Sequence, residues 1–157
     1  MSGRIDARLA ELEIELPPPA SPAANYVPTV RTGDLVYVAG QVPVVDGEFL
    51  YRGKLGEGQK FSVEEGQDCA RLVAINMLAQ LKQACEGDLD RVVRAVKLNG
   101  FVNCAPDFEQ QPHVINGASN LLIEVFGESG RHARSAVGVA GLPFGVAVEI
   151  DGVFEVR

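Results

Sequence analysis

The sequence predicts an α/β (α+β) domain in which two helices cover one face of a mixed β-sheet. The expected order is β-β-β-α-β-α-β-β, with an extra helix in front. Three observations predict it. Apolar residues switch between a period of 2 and a period of 3.6 along the chain. Two long segments, 62–87 and 112–127, each carry one apolar stripe at helical spacing. The length of 157 residues suits a single domain around a single core. Two helices suffice for one sheet face. The other face is therefore expected to be covered by further copies of the chain.

The elements follow in order. Residues 5–15 place Ile5, Leu9 and Leu12 at helical spacing, which predicts a short amphipathic helix packed on the domain as an appendage. "LPPPASPA" (16–23) ends it, and its four prolines predict an extended linker, because proline fixes φ and donates no backbone hydrogen bond. Residues 1–23 thus form an N-terminal extension and 24–157 the main part of one domain. Strands are expected at 27–31 and 35–39, separated by the turn residues Thr32, Gly33 and Asp34. In "VVDGEFL", Asp46-Gly47 between apolar residues is a two-residue hairpin signal. Residues 51–60 hold three glycines and read as a loop.

Ser62-Val63-Glu64-Glu65 has the form of a capping box, so a helix is expected to start there. Val73, Ala74, Met77, Leu81 and Ala84 make its inner stripe; Glu64, Asp68, Arg71, Lys82 and Glu86 make its outer face. Gly87 is placed to end it. The valine-rich stretch 90–103 reads as a strand. Pro112 opens a second helix, with Ile115, Ala118, Leu122, Val125 and Phe126 inward, and Gly127 and Gly130 close it. Two strands, about 133–140 and 146–156, complete the chain.

Composition excludes several functions. No run of 18 apolar residues suggests a membrane span, and "MSGRIDARLAELEIEL" lacks the apolar region of a secretory signal, so a soluble cytoplasmic protein with no membrane partner is expected. Cys69, Cys85 and Cys104 are odd in number and widely spaced, and His113 and His132 make no ligand pair with them; buried free thiols and no metal site are expected. The net charge of −7 weighs against a nucleic-acid partner, which needs a basic field.

The last two strands carry the candidate chemistry. Alternation places Ser135, Val137 and Val139 on one face of 133–140, and Arg134, Ala136, Gly138 and Ala140 on the other. The valines suit the helix-covered core. The small residues beside Arg134 then leave room next to the guanidinium. In the final strand Val146, Val148, Ile150, Phe154 and Val156 share one face, with Glu149, Asp151 and Glu155 opposite. Arg134 and Glu149 are accordingly expected to look out from the same uncovered face. An arginine fork suits a carboxylate, and a glutamate in suitable surroundings holds or deprotonates a water. A surface or ion-pair role for Arg134 is equally compatible with the strand pattern alone.

"ARSAVGVAGLP" followed by "VAVEI" resembles the C-terminal signature of the YjgF family, also called the Rid (reactive-intermediate deaminase) family. "VYVAGQVPV" (36–44), Tyr26-Val27 and "VIN" (114–116) fall in the family's order, so that the resemblance spans about 24–157. It implies a chorismate-mutase-like fold, a homotrimer with ligand clefts between subunits, and hydrolysis of small enamines and imines of 2-keto acids without a cofactor. By position, Arg134 would bind the substrate carboxylate and Glu149 would position or activate water. Tyr26, Gly40, Asn116 and Ala136 would line the cleft. Ala136 stands where many members carry cysteine, and the N-terminal helix and prolines exceed the compact members, which suggests a longer-chain subgroup. Two alternatives stand beside the deaminase: a non-catalytic protein that binds or senses small carboxylates, and the endoribonuclease attached to the family's older name, L-PSP.

Overall fold

The structure is a computed structural model and describes residues 3–157. Its main sheet has five strands: β1 (Thr29–Thr32), β2 (Leu35–Gln41), β5 (Val92–Asn103), β6 (Ala133–Val139) and β7 (Val148–Val156). Their order across the sheet is β1-β2-β7-β5-β6. Only β5 and β6 run parallel; the other neighbours are antiparallel, so the sheet is mixed as expected. Helices α2 (Val63–Ala84) and α3 (Gln111–Phe126) pack against each other and over one sheet face, α2 on β7 and β2, α3 on β5 and β6. The core lies in between, built from Met77, Leu81, Leu98, Ile115, Leu122, Ile150 and Phe154, all fully buried.

The third predicted strand is a small hairpin outside this sheet, β3 (Val44–Val45) and β4 (Glu48–Phe49). Asp46 and Gly47 at its tip have φ of 50° and 81°. Two successive positive φ values are what a two-residue hairpin turn matching strand twist requires.

Helix α2 begins at the capping box: the Glu65 backbone N–H donates to Ser62 Oγ (3.1 Å) and the Ser62 N–H donates to Glu65 Oε2 (2.8 Å). Such a cap contributes about 1 kcal/mol. At the far end the left-handed residue is Glu86 (φ 57°), with Gly87 one step later and its N–H bonded to Lys82 O. The stop is thus one residue earlier than the glycine suggested.

Helix α1 (Arg4–Glu11) buries Ile5 and Leu9 and is anchored by Asp90, which accepts hydrogen bonds from the Arg4 and Ile5 N–H groups at 2.8 Å each. It is shorter than the 5–15 expected, because Glu13 turns left-handed (φ 57°) and the Ile14 N–H caps Leu9 O at 2.9 Å. The proline segment has no regular structure, but it is no free linker. Gln80, buried in α2, donates to Ala20 O at 2.7 Å, and its neighbour one turn back, Asn76, donates to Val42 O and Val44 O at 2.9 and 3.0 Å. Two amides on one stripe of α2 thereby clamp the proline segment and the hairpin onto the helix.

Register settles the orientation of the last two strands, and it corrects one expectation. On β7, Val148, Ile150, Phe154 and Val156 are buried toward the helices and Glu149 faces away, as alternation predicts. On β6 the assignment is reversed. Arg134 pairs with Leu98, which is buried under the helices, while Val137 pairs with Phe101, which pairs in turn with Glu149. Directly paired residues share a face. Arg134 therefore lies on the helix side, and Val137, 47% exposed, lies on the uncovered side with Tyr37, also 47% exposed. The small residues beside Arg134 leave no hollow there. A Cβ on Gly138 would stand 2.7 Å from Cys104 Sγ and 2.8 Å from Gln111 Nε2, so they serve close approach of the α3 entry.

Candidate functional site

The predicted site residues fall into two groups on opposite faces of the sheet. Arg134, Asn116 and Ala136 belong to one group; Glu149, Gly40 and Tyr26 belong to the other. The predicted side-by-side exposure of Arg134 and Glu149 does not occur within one chain, since β5 and the thickness of the sheet separate them.

The Arg134 group sits at the edge strand under α3. Arg134 Nη1 donates to Asn116 Oδ1 (2.8 Å) and Ser119 Oγ (3.0 Å), and Nη2 donates to the Pro112 carbonyl (3.2 Å). Asn116 and Ser119 lie three residues apart on α3 and so share a helix face. Behind them, His132 Nδ1 lies 2.7 Å from Gly130 O and its Nε2 lies 2.9 Å from Ser119 Oγ. A carbonyl only accepts, so Nδ1 carries the proton and Nε2 is the acceptor for the Ser119 hydroxyl. The chain of donors then runs from Arg134 to Ser119 to His132 to Gly130 O. Burial lowers the His132 pKa below its usual value; the hydrogen bond to Gly130 O opposes this and the Arg134 charge adds to it. Burial also lowers the Arg134 pKa from its ordinary value, though an arginine stays cationic. Every hydrogen-bond partner of Arg134 is neutral; among the described residues no carboxylate pairs with it.

The Glu149 group lines a cavity of about 570 Å³ between the end of β2, the β3–β4 hairpin, the proline segment and α2. Its walls include residues 17–24 of the proline segment, Val42 and Val44 of the hairpin region, Ala79 of α2, Tyr26, and the rings of Phe49 and Phe144. Those two rings stack with centroids 4.1 Å apart and planes 11° from parallel. Phe144 is held at φ 61°, unusual for a bulky residue, by Arg52 Nε on its carbonyl (2.8 Å) and the Gly53 N–H on Gly145 O (2.8 Å). Gly40 stands against Glu149: a Cβ there would be 3.0 Å from the carboxyl carbon. Burial raises the Glu149 pKa above its usual value, and the Asp151 charge adds to this. No hydrogen bond or ion pair with another protein side chain holds the Glu149 carboxyl among the described residues.

The remaining titratable groups offer less. The three cysteines are free and buried as expected, and burial pushes the Cys69 thiol up to about 12, far from a nucleophile's range. Sequence reasoning missed Ser119 and did not place His132 behind Arg134. The spacing of Asn116 and Ser119 was the available signal. It also missed the Phe49–Phe144 pair, whose rings meet only through the tertiary fold.

A family model described as "YjgF/chorismate mutase-like, putative endoribonuclease" matches residues 6–148. The chain belongs to this YjgF/chorismate mutase-like family. Among its YjgF relatives, Protein TCP17 of Trypanosoma cruzi is 52% identical over 99% of this chain and 96% of its own length. The Agrobacterium tumefaciens protein Atu1372, described as of unknown function, is 48% identical with a TM-score of 0.89, over 98% of this chain and 92% of that one. A Shewanella oneidensis structure described as a "putative endoribonuclease" is 35% identical with a TM-score of 0.92, over 98% of this chain and the whole of that one. Both matches extend over the N-terminal helix and the proline segment, so that this extension is shared with these two structures.

Proposed function

We propose that the protein is an imine deaminase that hydrolyses enamines and imines of 2-keto acids, in clefts between subunits of a homotrimer. The observation that supports this best is the half-buried Arg134 guanidinium, oriented by three neutral oxygens and left without a counter-charge. A substrate carboxylate supplies that charge, and the planar fork grips it with two hydrogen bonds. Glu149 of a neighbouring copy, whose pKa burial raises and whose carboxyl has no protein partner among the described residues, is suited to take a proton from water. The exposed Tyr37 and Val137 on the bare sheet face are the surface on which copies would meet.

The reaction needs no group beyond these. Water adds to the imine carbon as Glu149 takes one of its protons and passes it to the substrate nitrogen, leaving a carbinolamine. Glu149 then takes the proton of the adduct's hydroxyl and delivers it to the nitrogen as the C=O forms and the C–N bond breaks, so that ammonia leaves with both protons of the water. The balance is one imine and one water giving one 2-keto acid and one ammonia. An enamine first takes a proton at carbon to become the imine. Because free imines already hydrolyse in water, orientation by Arg134 supplies much of what is needed.

Co-assembly of Arg134→Ala chains with Glu149→Gln chains tests the shared site. Each variant alone is expected to be inactive. A one-to-one mixture places an intact arginine opposite an intact glutamate at about a quarter of the interfaces of a ring, so about a quarter of wild-type activity should return. Mixed oligomers that stay inactive would refute the inter-subunit site. Metal-independent RNA cleavage by the wild type, lost in the same variants, would favour the endoribonuclease reading. Carboxylate binding without turnover would favour a sensing role.

A further inference from the structure

We infer that the substrate of this site carries a neutral apolar side chain, branched or aromatic, and not the methyl group of a three-carbon imine. This rests on the deaminase reading above and names the substrate class within it. The cavity beside Glu149 measures about 570 Å³, within the range that encloses ligands far larger than a three-carbon acid. Most of its walls past the carboxyl are proline, alanine, valine and phenylalanine side chains, interrupted by Ser21, Tyr26 and the amides of Gln41, Asn76 and Gln80. Among the described residues the charged ones that line it are Asp46 and Glu149, with no lysine or arginine. A carboxylate side chain would meet repulsion there with nothing among them to offset it.

Two features show that this space is constructed. The buried amides of Asn76 and Gln80 fix the hairpin and the proline segment as its walls. The chain also holds Phe144 at a left-handed φ to stack it on Phe49 at the rim. A methyl group would leave this apolar space unfilled or wet. Each methylene moved from water onto such walls is worth roughly fourfold in kcat/KM. The proline segment thus acts as the specificity wall of the site, with the stacked rings as its lip.

Imines generated in place by an L-amino-acid oxidase from leucine, phenylalanine, alanine and glutamate test this. For the wild type, kcat/KM on the leucine- and phenylalanine-derived imines is expected to exceed that on the alanine-derived one at least about tenfold, with the glutamate-derived one poorest. Phe49→Ala, and Phe144→Gly, which suits the left-handed backbone, should each shrink that ratio severalfold. A wild type that prefers the alanine-derived imine, or a ratio unmoved in both folded variants, overturns the inference and leaves the deaminase reading standing. If no imine is turned over, the deaminase reading falls and calorimetry decides the pocket. Tighter binding of phenylpyruvate and 4-methyl-2-oxopentanoate than of pyruvate upholds it; equal or no binding ends it.

Discussion

Around Arg134 every polar neighbour is a fixed neutral acceptor, and the side chain is held in place before any ligand arrives. Around Glu149 the arrangement is the opposite. Its carboxyl has room made for it by Gly40, largely apolar walls beside it, and no protein partner among the described residues. The first end is organised by geometry and lacks a counter-charge. The second is poised electrostatically and lacks a ligand. Since a sheet stands between them, the proposed site needs the two halves from different copies of the chain.

The largest effects should come from removing the two charges, and they should differ in sign on stability. Arg134→Ala is expected to lower kcat/KM by about a hundredfold or more, the usual scale for losing a charge-assisted carboxylate grip. It should also cost about 1 kcal/mol of stability, because Asn116 and Ser119 lose their donor. Arg134→Lys restores the charge but not the fork and should recover only part of the rate. Glu149→Gln should lower kcat comparably, yet raise the melting temperature at pH 7 by about 1–2 °C, since it removes an unpartnered charge that is partly desolvated. Parallel steady-state kinetics and thermal unfolding check both. Equal destabilisation by the two substitutions would erase the contrast between the halves.

A middle-sized effect should come from the layer behind Arg134. Ser119→Ala removes one of three anchors of the guanidinium and the partner of His132. The charge remains but swings more freely. KM for an imine is therefore expected to rise about tenfold while kcat falls less. A drop in kcat alone, with KM unchanged, would show that Ser119 acts in the chemical step and not in positioning.

The same contrast explains what could be read from the sequence. On β7 the inward set is bulky and the outward set charged, so alternation named the faces and put Glu149 outward. On the edge strand β6 alternation separated Ser135, Val137 and Val139 from Ala136 and Gly138, but could not say which set lies inside. Size suggested the valines. Packing chose the small residues, because Gln111 and Cys104 come within van der Waals contact of Gly138. The valines were left for the bare face, where Val137 stands 47% exposed. Ser62, Glu65, Pro112 and the apolar stripes of α2 and α3 act locally, and both helices appeared where expected. The proline segment's role depends on contacts with α2 some 60 residues away, and Asn76 and Gln80, polar residues on one stripe of a helix, were its only trace in the sequence.

The smallest expected effect is on pH dependence, where the two halves should again oppose each other. The His132 pKa is lowered in the folded state chiefly by burial, with the Gly130 hydrogen bond opposing and the Arg134 charge adding to the shift. The native state therefore binds its proton less readily than the unfolded chain. Its contribution to stability is fully present above the unfolded value of about 6.5 and is lost as pH falls through the depressed folded value. Glu149 runs the other way. Its pKa is raised by burial and by Asp151, so its contribution is fully present below about 4.5 and is lost as pH rises through the folded value. The groups facing His132 are Arg134, Ser119 and the Gly130 carbonyl; none is a carboxylate that would rescue the protonated ring. Melting temperatures from pH 8 to pH 4 in wild type, His132→Gln and Glu149→Gln resolve the two. The histidine variant should lose about 1 °C less than wild type between pH 7.5 and 5.5, both side chains being partly solvent-screened. The glutamine variant should exceed wild type at pH 7 and converge with it near pH 4.5. If both differences ran in the same direction with pH, the two ends of the sheet would not be the electrostatic opposites that a shared cleft requires.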